Sequence, residues 1–380
     1  MKKIPFVLIV LAVVLGGYGM GRKKQPLPET VSQEKMEEIH QEIKTPYKYG
    51  LVIVPPGPHQ KMDCPSVFRA HDRWFMTYLI YDGRGYQTWL AKSDDLLHWK
   101  TLGTILSFSK DSSLWDDDQK AGYIALEDYT WGGSYQWQKY KRKYWMSYFG
   151  GSSKGYEAGR LSIGMAYTAA DPSTVHEWQR LDQPVLSSAD PDVRWWENKT
   201  MYKNLVIWDQ EKLTGHPFVM YYNANGDSLG LKKGAERIGM AVSDDLVHWK
   251  RFLKDPVIDH HQGISGDPYI QKIGDIYVMF YFGAFWKGRE SSAFNRFACS
   301  YDLVHWTDWN GKDLIAPSED YDEVFAHKSF VVKYKGIVYH YYCAVNKKFD
   351  RGIAVATSVD LGKSTLTFNH ETKEDKKMNN

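Results

Sequence analysis

The sequence predicts an all-β protein, a five-bladed β-propeller with a short helical N-terminal arm. Three observations lead there. Two independent strand patterns recur five times in a shared register. Aromatic residues reach 15% of the chain, a surplus that suits strands and flat binding surfaces. The strand-like runs are bounded by Gly, Asp and Asn, the residues of tight turns.

The first pattern is an apolar strand ending in Ala-x-Ser/Thr. It reads LAKSDDLLHW from Leu90, MAYTAADPSTVHEW from Met165, MAVSDDLVHW from Met240, FACSYDLVHW from Phe297 and, degraded, VATSVDL from Val355. Its Ser/Thr anchors are Ser93, Thr168, Ser243, Ser300 and Ser358. The second pattern precedes each copy, with anchors Met76, Met146, Met220, Met279 and His340. A third strand lies upstream, where Val67, Ile270 and Val331 each stand nine residues before an anchor. A fourth follows the Trp of the HW motif, as in KTLGTIL after Trp99. Four strands per unit and five units define the propeller. The Asp residues of SDDLLHW suit a tight turn, and Trp99, Trp178, Trp249 and Trp306 are expected to pack between blades.

The flanking segments read differently. Lys2 and Lys3 followed by the apolar run Ile4–Leu15 and small residues form an export signal, placed at 1–21. The run is shorter than the roughly 20 residues of a spanning helix. Residues 22–46 form the helical arm, 47–362 the propeller and 363–380 a polar tail. PYKYGLVIVPP, from Pro46, is expected to bridge arm and propeller. Exchange of the arm between subunits would make a homodimer.

Composition excludes several classes. The 380 residues exceed one small core, and 43% hydrophobic with 25% charged residues excludes a disordered chain or a multi-span membrane protein. Without Lys2 and Lys3 the charge balance is 46 against 46, so no strong field points to nucleic acid. Cys64, Cys299 and Cys343 are too few for a disulfide framework. Asp116, Asp117 and Asp118 lack cation-loop spacing, no Cys/His pair has zinc spacing, and GGSSKGYEAG from Gly150 lacks the context of a phosphate loop. No cofactor is required; a structural divalent cation in the channel is left open.

In a propeller the first strand of each blade lines the channel, so polar residues at first-strand starts converge on one mouth. Counting back from the anchors selects Asp63, Asp267 and His327, with Lys328 beside it. Repeat two offers Glu127 and Asp128 in ALEDYTW, repeat three offers Lys203 and Asn204, and Glu323 lies four residues before His327. Each has a plainer role open to it, such as turn capping for the Asp residues. Acids around a neutral, aromatic mouth suit glycoside cleavage, where one carboxylate attacks or activates water and a second group protonates the leaving oxygen.

On MDCPSVF at Met62, the SDDLxHW turns and GISGDPYIQK at Gly263, the sequence from about residue 47 to 362 resembles the five-bladed propeller glycoside hydrolases, the group that includes families 43 and 117. The resemblance implies Asp63 as base and Asp267 as an orienting acid. No Glu stands at a first-strand start in repeats three or four, where family 43 carries its acid. The late His with a nearby Glu is closer to family 117, which implies His327 assisted by Glu323 as the acid. The expectation is an exported, exo-acting glycoside hydrolase that removes a terminal furanoside or anhydro-galactose from a plant or algal oligosaccharide, with inversion. Glu127, Asp128, Lys203, Asn204 and Lys328 would bind substrate. Two alternatives stand beside it: a phosphorylase using Lys203, Lys328 and Arg296 as its anion site, and a non-catalytic sugar-binding propeller.

Overall fold

The computed structural model describes residues 27–57, 59–109, 113–226 and 235–368. The expected export signal and most of the tail lie outside these residues. Helix α1 (Gln33–Ile43) is capped by Ser32, whose Oγ accepts from the Lys35 N–H at 3.3 Å. Its buried face, Met36, Ile39 and Ile43, joins the largest apolar cluster of the molecule. His40 stacks on Trp309 at 4.8 Å, and Glu42 accepts from Trp131 Nε1 at 2.7 Å and pairs with Lys333.

The rest is almost entirely antiparallel sheet. Strand β1 (Tyr47–Ile53) follows the helix. One group of four is β2 (Lys61–Ala70), β3 (Arg73–Tyr81), β4 (Tyr86–Ser93) and β5 (Lys100–Leu106), paired in order. The second is β6 (Gln119–Ala125), β7 (Tyr144–Gly151), β8 (Ser162–Thr168) and β9 (Gln179–Arg180). The third is β10 (Thr200–Trp208), β11 (Phe218–Asn225), β12 (Glu236–Ser243) and β13 (Trp249–Phe252). The fourth is β14 (Ile264–Ile273), β15 (Ile276–Trp286), β16 (Arg289–Ser300) and β17 (Thr307–Asp308). The fifth is β18 (Phe325–Tyr334), β19 (Ile337–Val345) and β20 (Arg351–Thr357), and its fourth member is β1.

The pairing of β1 with β20 corrects one expectation. PYKYGLVIVPP does not bridge two units; Tyr47 faces Thr357 and Ile53 faces Ile353, so this early strand completes the last group. The pairing covers an edge of β20 that would otherwise expose its backbone. Past residue 362 the polypeptide continues along this group, with Ser364 Oγ donating to Leu51 O at 2.6 Å and Phe368 buried against it.

The repeated turns are structural. Ser93 Oγ accepts from Leu96 N at 3.0 Å, Asp95 Oδ1 accepts from Leu97 N and His98 N, and Trp99 Nε1 donates to Leu96 O at 3.2 Å. The same bonds recur around Asp245 and Asp302. Tyr341 of β19 donates to Leu96 O and lies edge-on to Trp99 at 5.9 Å. Tyr221 of β11 does the same for Leu303 and Trp306. The turn of one group thus seals against a neighbour, and each such aromatic contributes about 1.5–3 kcal/mol by burial. Among the described residues no helix is long and apolar enough to cross a membrane.

Candidate active site

Three inner strands carry the same bulge. Pairing is regular up to Asp63↔Leu79, Gly266↔Phe282 and His327↔Cys343, then resumes at Ser66↔Thr77, Tyr269↔Phe280 and Phe330↔Tyr341. Two residues of the inner strand therefore oppose one of its neighbour, which re-aims a side chain. The first of each pair has a left-handed backbone: Cys64 at φ 49°, Asp267 at 56° and Lys328 at 64°. All three side chains line one cavity of about 190 Å³.

This phase corrects the expected equivalences. Asp267 matches Cys64 and Lys328, whereas Asp63 matches Gly266 and His327. The difference was visible as the offset of 13 residues for Asp63 against 12 for Asp267. Asp63 is fully buried beneath the cavity instead of lining it. Its carboxylate accepts from Tyr86 OH at 2.7 Å, Tyr156 OH at 3.2 Å, Cys343 Sγ at 2.9 Å and Arg351 Nη1 at 2.9 Å, with Lys328 Nζ at 3.3 Å. Burial opposes its charge, but Lys328 and Arg351 outweigh burial and hold the carboxyl well below the usual range.

His327 lines the cavity, with Nδ1 3.2 Å from the Cys343 carbonyl. A carbonyl only accepts, so Nδ1 carries the hydrogen and a neutral ring leaves Nε2 bare. Burial, then Lys328 and Arg351, hold its pKa well below the ordinary value. A neutral ring with a bare Nε2 accepts a proton and does not donate one, which speaks against the acid role implied by resemblance.

Lys203 also lines the cavity, and its buried Nζ has no hydrogen-bond partner. Asn204 is fully buried in the same irregular stretch of β10 and does not line it. Glu323 is bound to Lys347 Nζ at 2.6 Å and does not line it either. Arg296 pairs with Asp313 at 3.2 Å, outside the cavity wall.

Glu127 and Asp128 do not start an inner strand. Strand β6 begins at Gln119, and both acids follow its end. They belong to an insertion that meets the far ends of two other inner strands: Arg69 N donates to Tyr135 O and Trp131 N to Lys272 O. Glu127 accepts from Tyr269 OH at 3.3 Å, and Asp128 caps the turn through Ser134 and Thr130. The insertion obscured the register of repeat two.

Sequence reasoning missed two glutamates. Glu157 lies in the loop between β7 and β8, inside the GGSSKGYEAG stretch that lacks the context of a phosphate loop, and Glu236 is the first residue of β12. Both line the cavity, as do Tyr156, Tyr202, Asn223 and Arg351. Burial pushes Glu236 up to about 8, reinforced by Glu157 and Asp267 and opposed by the Asn223 Nδ2 bond at 2.9 Å. Burial also raises Glu157, and Lys328 Nζ at 3.8 Å opposes that rise. A signal for Glu236 did exist. Glu236 and Arg351 each lie seven residues before the Ser anchors of their third strands, as do Tyr86 and Ala293. Third-strand starts face the site as well as first-strand starts. Among the described residues no group of three or more His, Cys, Asp or Glu is placed to hold a metal ion.

A solved structure of a BT0996 complex with RGII matches with a TM-score of 0.87 at 53% identity, covering 90% of this protein and 100% of that one. The protein belongs to the glycoside hydrolases. A second match to the hydrolase, described as "Glycoside hydrolase", has a TM-score of 0.87 at 52% identity with the same coverage. A thermostable family-43 glycoside hydrolase covers 84% of the hydrolase and 97% of its own length at 16% identity and a TM-score of 0.55, a likeness of fold. The resemblance to propeller glycoside hydrolases expected from the sequence therefore holds for the group. No family model matches the sequence, and no curated protein does.

Proposed function

We propose that this glycoside hydrolase is an exo-acting, five-bladed β-propeller enzyme, and that Glu236 and Glu157 are its two working carboxyls. The observation that carries the reading is this pair: two partly desolvated glutamates on the wall of one cavity, with one held protonated near neutrality. Glu236 protonates the glycosidic oxygen as the bond to the anomeric carbon breaks. Glu157, ionised beside Lys328, supplies the second carboxylate of the reaction. The anomer first released, read by NMR during turnover, tells whether Glu157 activates water, giving the inversion expected from the sequence, or attacks the anomeric carbon.

The five four-stranded groups and the closure through β1 support the blade count. A cavity of about 190 Å³ is smaller than the roughly 300–1,000 Å³ of drug-sized sites, which suits one sugar ring and favours exo-action. Asp63 serves here as the anion that fixes Lys328 and Arg351, in place of the base role, because its acceptor positions are already filled. Asp267 and Lys203 face the cavity as hydroxyl ligands. The name of the relative supports an oligosaccharide of RGII, or a close plant oligosaccharide, as substrate. The basic and apolar start of the sequence supports export.

The test is product mass spectrometry on RGII oligosaccharides, with wild type and Glu236→Gln, with and without phosphate. Loss of one terminal residue by wild type alone supports the reading. Product that needs phosphate would move the protein to the phosphorylases, with Lys203, whose Nζ lacks a partner, at the anion. Binding without product would leave a sugar-binding module.

A further inference from the structure

One side of the cavity is apolar. Ile264, Phe282, Ala284, Phe285, Ala293 and Phe325 form it, drawn from β14, β15, β16 and β18, while the carboxyls and cations occupy the rest. Phe282, Ala284 and Ala293 are buried there, but Phe285 is 44% exposed. It also has a left-handed backbone, φ 57°, at a break in the pairing of β15 with β16 between Ala284 and Trp286. An exposed aromatic in a left-handed conformation is disfavoured twice, and such strain persists only where the surroundings enforce it.

The surroundings do enforce it. Gly263, itself at φ 49°, presses against this turn; a Cβ there would stand 2.2 Å from Ala284 O and 2.7 Å from Phe285 O. Trp286 Nε1 donates to Ile264 O at 2.8 Å, and Lys287 N donates to Gln262 Oε1 at 2.9 Å. Phe325 meets the Phe285 ring edge-on at 5.8 Å. The same Gly263 offers its carbonyl to the backbone N–H of Glu236 at 2.9 Å, and Glu236 pairs with Ile264. The strained aromatic and the acid are therefore positioned by one segment, 263–264.

We propose that Phe285, backed by Phe325, is the platform for the leaving-group sugar, the residue on the far side of the scissile bond. The proposal rests on Glu236 being the acid. An acid touches the oxygen that joins the two sugars, so a platform fixed to it sits on the leaving-group side. The hydrogen-bearing face of a sugar ring is apolar and covers an aromatic face well. The ligand class is an oligosaccharide whose penultimate residue presents such a face.

The test uses calorimetry in a Glu236→Gln background, which keeps substrate intact. The ligands are an RGII oligosaccharide and the monosaccharide released from it. Phe285→Ala is expected to weaken the oligosaccharide about tenfold, as for an anchoring aromatic, and the monosaccharide far less. Phe285→Trp keeps the affinity. Phe285→Gly relieves the left-handed backbone, so it raises the Tm while losing the same affinity. An unchanged oligosaccharide affinity, or an equal loss for both ligands, would overturn the platform alone. Absence of any oligosaccharide binding before Phe285 is changed would overturn the proposed function and the platform with it.

Discussion

Arg351 donates from Nη1 to Oδ2 of Asp63 at 2.9 Å, across 288 residues of sequence. With Lys328 at 3.3 Å it makes Asp63 the shared counter-charge of two buried cations, joining the first sheet group to the last. The acid picked out first by position thus holds the site together from below.

Asp63→Asn should accordingly be a stability lesion. Removing one partner of a buried charge cluster costs about 3–5 kcal/mol, because the remaining charges stay uncompensated. Urea denaturation at neutral pH measures it. The folded-state pKa is depressed, so the stabilisation is present above the unfolded value of 3.8 and is lost as pH falls through the folded value. The variant should therefore lose less stability on acidification than wild type. A drop in kcat at unchanged stability would restore Asp63 to the role of base.

Glu236→Gln should lower kcat/KM by about 10²–10⁴, the range for a general acid. An acid must carry its proton, so wild-type kcat/KM should fall above about pH 8. The raised folded-state pKa also has a thermal consequence. Between 4.5 and about 8 the folded carboxyl binds more protons than the unfolded one, so this group drains stability as pH rises through that window. The variant should melt above wild type at pH 8 and level with it below pH 4.5.

Asn223→Leu removes the bond that stabilises the ionised form of Glu236. The alkaline limb of the pH–kcat/KM profile should move to higher pH. An unmoved limb would mean that another group sets it.

Lys203→Met should separate binding from stability. Its ammonium is buried with no hydrogen-bond partner, so an apolar side chain of similar length should keep the Tm or raise it. KM should rise, because a ligand to the sugar hydroxyls is lost. A lowered Tm with unchanged KM would make Lys203 structural.

Glu323→Gln tests the role implied by resemblance. Glu323 is engaged by Lys347 outside the cavity wall, so activity should stay at the wild-type level. A loss comparable to that of Glu236→Gln would return it to catalysis.

Much of the molecule was readable from local pattern. Alternation and turn chemistry act over a few residues, so the repeats at Ser93, Ser243 and Ser300 announced strands, turns and their order. Asp267, His327, Lys203 and Lys328 were found because inner-strand starts converge. Glu127 and Asp128 were misplaced because the insertion lengthened repeat two between β6 and β7.

What the sequence determined by itself is the all-β character, the repeat register, the family resemblance and half of the cavity wall. The tertiary structure decided the rest. A bulge of one residue set which side chain enters the cavity and which, like Asp63, goes beneath it. Sheet closure brought Glu157, Glu236 and Arg351, from a loop and two third-strand starts, to one mouth. Burial then set which carboxyl keeps its proton. Desolvation and charge pairing depend on neighbours distant in sequence, so local pattern contains no record of them.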